Sequence, residues 1–169
     1  METLKAIFKR RSIRKFADKK ITDKQIKTLL EAAMMSPTAV NAQEWEFLVI
    51  RDKKQLIEIT KIHPHAQMLK QADAAIIVCG NTSKEILPGY WIGDCGACSQ
   101  NILLAATDIG LGSVWLGVQP NKKRVQDIRK LFKLPKHIMP FNVIALGYPA
   151  EKKKPENRYD DKKAHYEKW

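Results

Sequence analysis

Residues 100–118, "QNILLAATDIGLGSVWLGV", change their periodicity at a pair of glycines. Upstream, the segment from Pro88 to about Ile109 reads as one long helix that carries small residues on part of its surface and is closed by Gly110 or Gly112. Small residues let another helix approach closely. Downstream, "GSVWLG" (112–117) is short and rich in strand formers, which predicts a strand directly after the helix.

The same two element types recur on both sides. "ITDKQIKTLLEAAMMS" (21–36) predicts a helix: Thr22 and Gln25 fit a capping box, Ile26, Leu29, Leu30 and Ala33 share a face, and Pro37 follows the end. "WEFLVIR" (45–51) and "DAAIIVCG" (73–80) predict strands, the second free of charge after Asp73 as a central strand covered on both faces would be. "KKQLIEITKI" (53–62) between them has a helical pattern, "NKKRVQDIRKLFKL" (121–134) predicts a helix capped by Asn121, and "NVIALG" (142–147) a last strand. The tail, "YPAEKKKPENRYDDKKAHYEKW" (148–169), is charged, punctuated by proline and without period, the composition of a mobile extension. Its aromatics Tyr159, Tyr166 and Trp169, with His165, equally suit a tail that docks, for instance on a second subunit.

A chain of 169 residues suits a single domain with a proper core. The formal charge of +12 is unevenly spread: residues 1–30 carry ten Lys/Arg against three Asp/Glu, residues 151–169 seven against five. Excess charge gathered at one end favours a local anion site over an all-round polyelectrolyte surface. The opening "METLKAIFKRR" has no apolar h-region, and no stretch approaches a membrane span, so the expectation is a cytoplasmic protein with no membrane partner. Three cysteines, Cys79, Cys95 and Cys98, are too few for a disulfide scaffold, which agrees with a reducing compartment.

Three constellations could carry chemistry. Arg10, Arg11, Ser12 and Arg14 offer guanidinium forks and a hydroxyl suited to a phosphate. In an extended segment Arg10, Ser12 and Arg14 would converge while Arg11 and Ile13 point elsewhere; alone, the pattern reads as a solvated basic end. "SPTAVNAQEW" (36–45) lies between helix and strand, with Thr38, Asn41 and Gln43 able to meet a polyol or a heterocycle edge, although it is also an ordinary connecting loop. Cys95-Gly-Ala-Cys98 has the C-x-x-C spacing of a redox pair or half a zinc site, yet it falls inside the long helix, away from the N-terminal position that activates a thiol. His63 and His65 lack the usual ligand spacing to complete a zinc site, so no metal is expected. The chain has no G-x-x-x-x-G-K-[ST], H-E-x-x-H or G-x-S-x-G, and Trp115 stands where Gly110-Leu-Gly112 would need a third glycine for a dinucleotide fingerprint.

Taken in order, "RRSIRKF" (10–16), "SPTAVNAQEW", "QNILLAATDIGLGSVWLGV" and "KKPENRYDDKKAHYEKW" (153–169) resemble the FMN-dependent nitroreductase family in its short form, over nearly the whole chain. The resemblance implies an α+β fold, a mixed sheet flanked by helices, in a domain-swapped homodimer with FMN at each of two subunit boundaries and the tail from 148 extending onto the partner. It implies that Arg10, Ser12 and Arg14 hold the phosphate, ribityl chain and pyrimidine edge of FMN, with Arg11 contributing through backbone or side chain. Pro37, Thr38, Ala39 and Asn41 match the loop that reaches the flavin from the other subunit. Leu116, Gly117 and Val118 match the strand end whose amides lie near the flavin N5 and O4 atoms, and Arg158 matches the tail arginine that completes the phosphate site. The small residues from Cys95 to Cys98 would then serve helix packing in the core or at the dimer seam. Glu44 departs from the family, standing where proline is common and adding a negative charge near the site that could shift substrate preference.

The activity so implied is a ping-pong oxidoreductase, in which NADH or NADPH reduces FMN, leaves, and is replaced by a small electron-poor acceptor such as a nitroaromatic or quinone. No side chain need act as acid or base, so no catalytic residue is expected beyond the cofactor. Related FMN enzymes of this resemblance include dehalogenases. A basic nucleic-acid-binding module is the reading of a different class, and the balanced tail and the lack of a nucleic-acid motif weigh against such a partner.

Overall fold

The computed structural model of the chain describes residues 2–154 and 156–169. The elements are α1 (Thr3–Lys9), β1 (Phe16–Ala17), α2 (Asp23–Met34), β2 (Trp45–Ile50), α3 (Lys53–Ile62), β3 (Ala74–Asn81), α4 (Trp91–Asp108), β4 (Gly112–Gly117), α5 (Lys122–Leu131) and β5 (Ile138–Pro149). The fold is α+β. β5 is central: β3 pairs with one edge and carries β2, while β4 and β1 follow each other along the other edge. These ladders are antiparallel, and the parallel element of the expected mixed sheet is one isolated bridge, Ser12 to Ser113.

Local sequence explains most boundaries. Thr22 Oγ1 accepts the Gln25 amide and Gln25 Oε1 accepts the Thr22 amide, so the capping box forms and starts α2. Asn121 caps α5 in the same manner, through the Arg124 amide. α4 begins three residues later than Pro88 because Gly89 turns left-handed at φ +89, and Gly110 at φ +80 stops it. β5 outruns the expected 142–147 at both ends. Pro140 cannot donate to a ladder, which hid the strand, but it sits beside the bulge at Val78/Cys79 where β3 tolerates the missing donor.

All eight residues of β3 are buried, because helices cover both faces of the sheet. Ala74, Ile76 and Val78, with Ile144 and Leu146 of β5, pack under α2 and α4; Ala75, Ile77 and Cys79, with Val143 and Ala145, pack under α3 and α5. Tyr148 and Pro149, the first residues of the presumed tail, pair with Ala17 and Phe16 and so close the sheet instead of leaving it. Beyond them the chain turns back over its own N-terminal segment.

Candidate functional site

Two glycine contacts fix the basic segment. Ile13 packs on Gly112, where an added Cβ would lie 2.8 Å from Ile13 Cγ2, and Phe16 packs on Gly147, where it would lie 2.7 Å from the ring. Between these anchors Ile13 N–H donates to Ser113 O (2.9 Å), which makes the parallel bridge. The Arg14 and Lys15 amides donate to Glu151 Oε1 at 2.6 and 3.2 Å, so the returning tail is stitched alongside. Lys153 and the Arg14 amide hold the Glu151 carboxyl below its ordinary range.

The expected alternation holds for Ile13, which faces inward between Ser12 and Arg14, but not for Arg10. Arg10 is the C-cap of α1, so the end of the helix, not a strand, sets its direction. It lines a cavity of about 320 Å³ together with Arg11, Arg158, Gln100, Glu156 and Asn157. The Arg11 guanidinium is spent on carbonyls, donating to Phe8 O (2.8 Å), Arg10 O (2.7 Å) and Lys154 O (3.1 Å); its side chain thus ties α1 to the tail. Arg158 Nε donates to Glu156 Oε2 at 2.7 Å, and this contact holds the Glu156 carboxyl low. Burial, with Arg158 and Arg11 beside it, pushes the Arg10 guanidinium below its ordinary value, and Glu156 only partly offsets this. Three guanidinium groups therefore face one carboxylate. Partly buried excess positive charge of this kind fits a doubly charged oxyanion such as the phosphate of FMN.

Ser12 bridges to Ser113 at the start of β4 and the Arg14 amide is held by Glu151; neither residue lines that cavity. Leu116 and Gly117 end β4 and Val118 follows it, about 14 Å further on at about 3.4 Å per residue from Ser113 to Gly117. Val118 N–H is engaged, donating to Phe141 O (3.1 Å). Because Val118 points its backbone at β5, strand alternation turns Gly117 away from β5, and Gly117 O accepts from His63 Nε2 (3.0 Å) and from Arg124. Sequence reading missed His63 and Arg124 in this role, and Gln100 in the cavity.

His63 Nδ1 accepts the His65 amide at 3.2 Å, which leaves the proton on Nε2 for Gly117 O. Burial, then Arg124, pushes His63 below its ordinary value, so the folded chain holds it neutral. The native state then binds fewer protons than the unfolded one, and the stability this confers is present above about pH 6.5 and lost as pH falls through the folded value. The melting temperature of His63→Gln is expected to fall less steeply than that of the parent between about pH 6.5 and 5, measured by thermal scans across pH.

The loop after α2 is tied down at several points. Asn101 Nδ2 donates to Ala32 O (3.0 Å) and Ser36 Oγ (2.8 Å), fixing its start. Ala39 N–H donates to Asp94 Oδ2 (2.9 Å), Gln43 N–H to Thr38 Oγ1 (3.1 Å), and Gln43 Nε2 to Asn41 Oδ1 (2.9 Å). Val40, Asn41 and Gln43 have φ of 47°, 56° and 50°. For β-branched Val40 that conformation costs about 1–3 kcal/mol, which the surrounding contacts must hold. Pro37, Thr38, Ala39 and Asn41 thus form one shaped loop at the end of the sheet where β4 finishes, but across β5 and β3 from it, about 14 Å at about 4.8 Å per strand. Glu44, expected to add charge near the site, is 1% exposed and presents none to solvent.

The C-x-x-C pair is packing. Cys95 and Cys98 are free and buried, and Cys98 Sγ donates to Cys95 O (3.3 Å). The Cys98 thiol and burial push the Cys95 thiol up, and burial pushes Cys79 up to about 12, the opposite of an activated thiol. Among the described residues no group of three or more His, Cys, Asp or Glu is placed to hold a metal ion, and no helix is long and apolar enough to cross a membrane.

A family model described as the nitroreductase family matches residues 7–76 and 64–148. A protein of Methanothermobacter thermautotrophicus that carries the provisional name NADH dehydrogenase/NAD(P)H nitroreductase is 48% identical over 169 residues, covering 100% of this chain and 88% of its own. A crystal structure from Parabacteroides distasonis with the same provisional name superposes with a TM-score of 0.95 at 42% identity, over 99% of this chain and 98% of that one. An FMN-dependent nitroreductase from Clostridium difficile gives a TM-score of 0.92 at 30% identity, over 98% and 99%.

Proposed function

The chain belongs to the nitroreductase family, and on that premise we propose that it is an FMN-dependent oxidoreductase, drawing on NADH or NADPH and reducing small electron-poor acceptors such as nitroaromatics or quinones. The observation that carries this reading is the Arg10, Arg11 and Arg158 cavity, whose positive charge exceeds its one carboxylate. FMN, when bound, supplies the hydride chemistry by accepting a hydride from the nicotinamide and releasing it to the acceptor. The chain's own part is to bind and orient. Arg10 and Arg158 take the phosphate, Arg11 holds the tail that delivers Arg158, and Ser12 and Arg14 follow the cofactor toward β4. Gly117, anchored through its carbonyl by His63 and Arg124, turns its amide to the ring end. Without a G-x-G-x-x-G fingerprint the nicotinamide has no pocket of its own, which supports donor and acceptor using one space in turn, a ping-pong order.

Within one chain the 37–41 loop stands across β3 and β5 from Gly117, about 14 Å at about 4.8 Å per strand, a separation that favours a second copy as the source of the loop at the ring end of the flavin. Exposed apolar side chains support that pairing: Ile7 and Phe8 on α1, Met35 and Val40 around the loop, and Tyr90 and Ile92 at the start of α4. We place the flavin at the boundary of a homodimer on this ground, with Tyr159, Tyr166 and Trp169, all exposed, available to dock the tail on the partner. The test is the visible spectrum of the purified protein after adding FMN and removing the excess, then after adding NADH or NADPH without oxygen. Retained flavin absorbance that bleaches with a nicotinamide is expected; a protein that retains no flavin overturns the reading.

A further inference from the structure

Glu44 carries an anomaly that the flavin site does not use. Its side chain is buried, and Oε2 has no hydrogen-bond partner, a situation an ionised carboxylate does not tolerate. Within hydrogen-bonding reach is a second carboxyl, that of Asp94 in the first turn of α4. The charged and titratable groups that bear on Glu44 are Asp94 and the neighbouring Cys95 thiol from α4, and Glu85 from the segment before it. None of these is a cation. A carboxyl that is out of water and has acidic groups beside it favours its protonated form. A proton on Glu44 supplies the donor for an O–H···O bond to Asp94, and the Asp94 carboxylate lies in the first turn of α4, where the helix favours a negative charge.

We propose that Glu44 keeps its proton and donates it in a hydrogen bond to Asp94, and that this contact is the positioning device of the 37–43 loop. The connection is direct. Asp94 Oδ2 accepts the Ala39 amide, and Ala39 immediately precedes the left-handed residues Val40 and Asn41. A loop held in that conformation needs a fixed acceptor, and Asp94 is fixed only while Glu44 donates to it. Glu44 itself is anchored at the start of β2, where its carbonyl accepts the Asn81 amide at 2.6 Å. The pair therefore joins loop, helix and sheet at one point. What the loop contributes to a flavin rests on the function proposed above; the Glu44 proton does not.

The direction of the pH dependence follows. Burial, and then Asp94, raise the Glu44 carboxyl above its ordinary value. The folded chain keeps a proton that the unfolded chain has lost, so the contribution of the pair is complete below the ordinary Glu value and is lost as pH rises through the folded one. On the alkaline side Glu44 ionises, its donor to Asp94 is lost, and Ala39 is released.

Hydrogen exchange of the Ala39 amide in the full-length protein, with and without FMN, tests this together with infrared spectra in the protonated-carboxyl region. In the parent, Ala39 protection is expected to fall about tenfold or more as pH rises from the ordinary Glu range into the alkaline range, and a carboxylic-acid band is expected. Glu44→Gln, whose amide donates to Asp94 at every pH, should keep Ala39 protected across that range and lose the band. Asp94→Asn is the second variant and should also flatten the profile. The same pH profile in parent and variants, or the absence of a carboxylic-acid band that Glu44→Gln removes, overturns the proposal. FMN retention read from absorbance reports separately on the flavin assignment: a pH-dependent Ala39 with pH-independent retention keeps the pair and removes the loop from the flavin site.

Discussion

Replacing Arg10 and Arg158 together by alanine is expected to weaken FMN binding by about 100-fold or more, since hydrogen bonds to a charged group are worth about 1.5–3 kcal/mol each and the two act on one phosphate. The single changes should not sum to this. Arg158 and Arg10 lie close enough to feel each other's charge, so a phosphate bound between them relieves a repulsion that either single change already removes, and the two effects are coupled. Glu156, tied to Arg158 in the parent, is freed by Arg158→Ala and works against an anion, which limits the relief. Titration of flavin-free protein with FMN, followed by quenching of flavin fluorescence, measures all three affinities. Arg158 is exposed and Arg10 sits at the C-cap of α1, so the double variant should unfold in urea close to the parent midpoint. An affinity within threefold of the parent would place the phosphate elsewhere. Ser12→Ala with Arg14→Ala, outside the cavity, should cost less than the arginine pair.

Much of this architecture is legible in the chain because the deciding interactions are local. Thr22 and Gln25 announce α2 three residues apart, Gly110 announces the end of α4 through a conformation glycine favours, and the charge-free run of β3 announces a strand covered on both faces. The candidate site is legible only in part, since its parts meet through tertiary contacts. Arg10 follows the end of α1 and not strand alternation, so it joins Arg11 and Arg158 instead of Ser12 and Arg14. The Arg11 side chain looks like a ligand in the string and serves as a staple between Phe8, Arg10 and Lys154, a role fixed by where the tail returns. Glu44 reads as an exposed charge because nothing in its neighbours' identity reveals Asp94, which lies fifty residues on in the sequence. Nothing in the string links His63 to Gly117, fifty-four residues on, so its bond to that carbonyl is visible only in the fold.

Gly112→Ala should reach the same site without touching a charged residue. The added Cβ would meet Ile13 Cγ2 at 2.8 Å and Ile13 Cβ at 2.9 Å. A Cβ moves only with its backbone, so rotamer changes at Ile13 cannot clear the contact. One of the two chains must shift. β4 is held along its length by β5, from Gly112 opposite Gly147 to Gly117 opposite Asn142, whereas the 12–14 segment is held by the Ile13 amide on Ser113 and the Arg14 amide on Glu151. The segment gives way. Overpacking of this kind costs about 1–3 kcal/mol of stability, read as a lower urea midpoint at unchanged slope. The displaced Ser12 and Arg14 should weaken FMN binding about tenfold, the loss of one net hydrogen bond of about 1–1.5 kcal/mol. Gly112→Ala combined with Ile13→Gly removes the clashing Cβ, and should restore FMN affinity while remaining less stable than the parent, since the packing of Ile13 is gone. A folded, destabilised Gly112→Ala that binds FMN as the parent does would mean that the 12–14 segment carries none of the flavin contact, and that the cavity of Arg10 and Arg158 holds the cofactor at this end by itself.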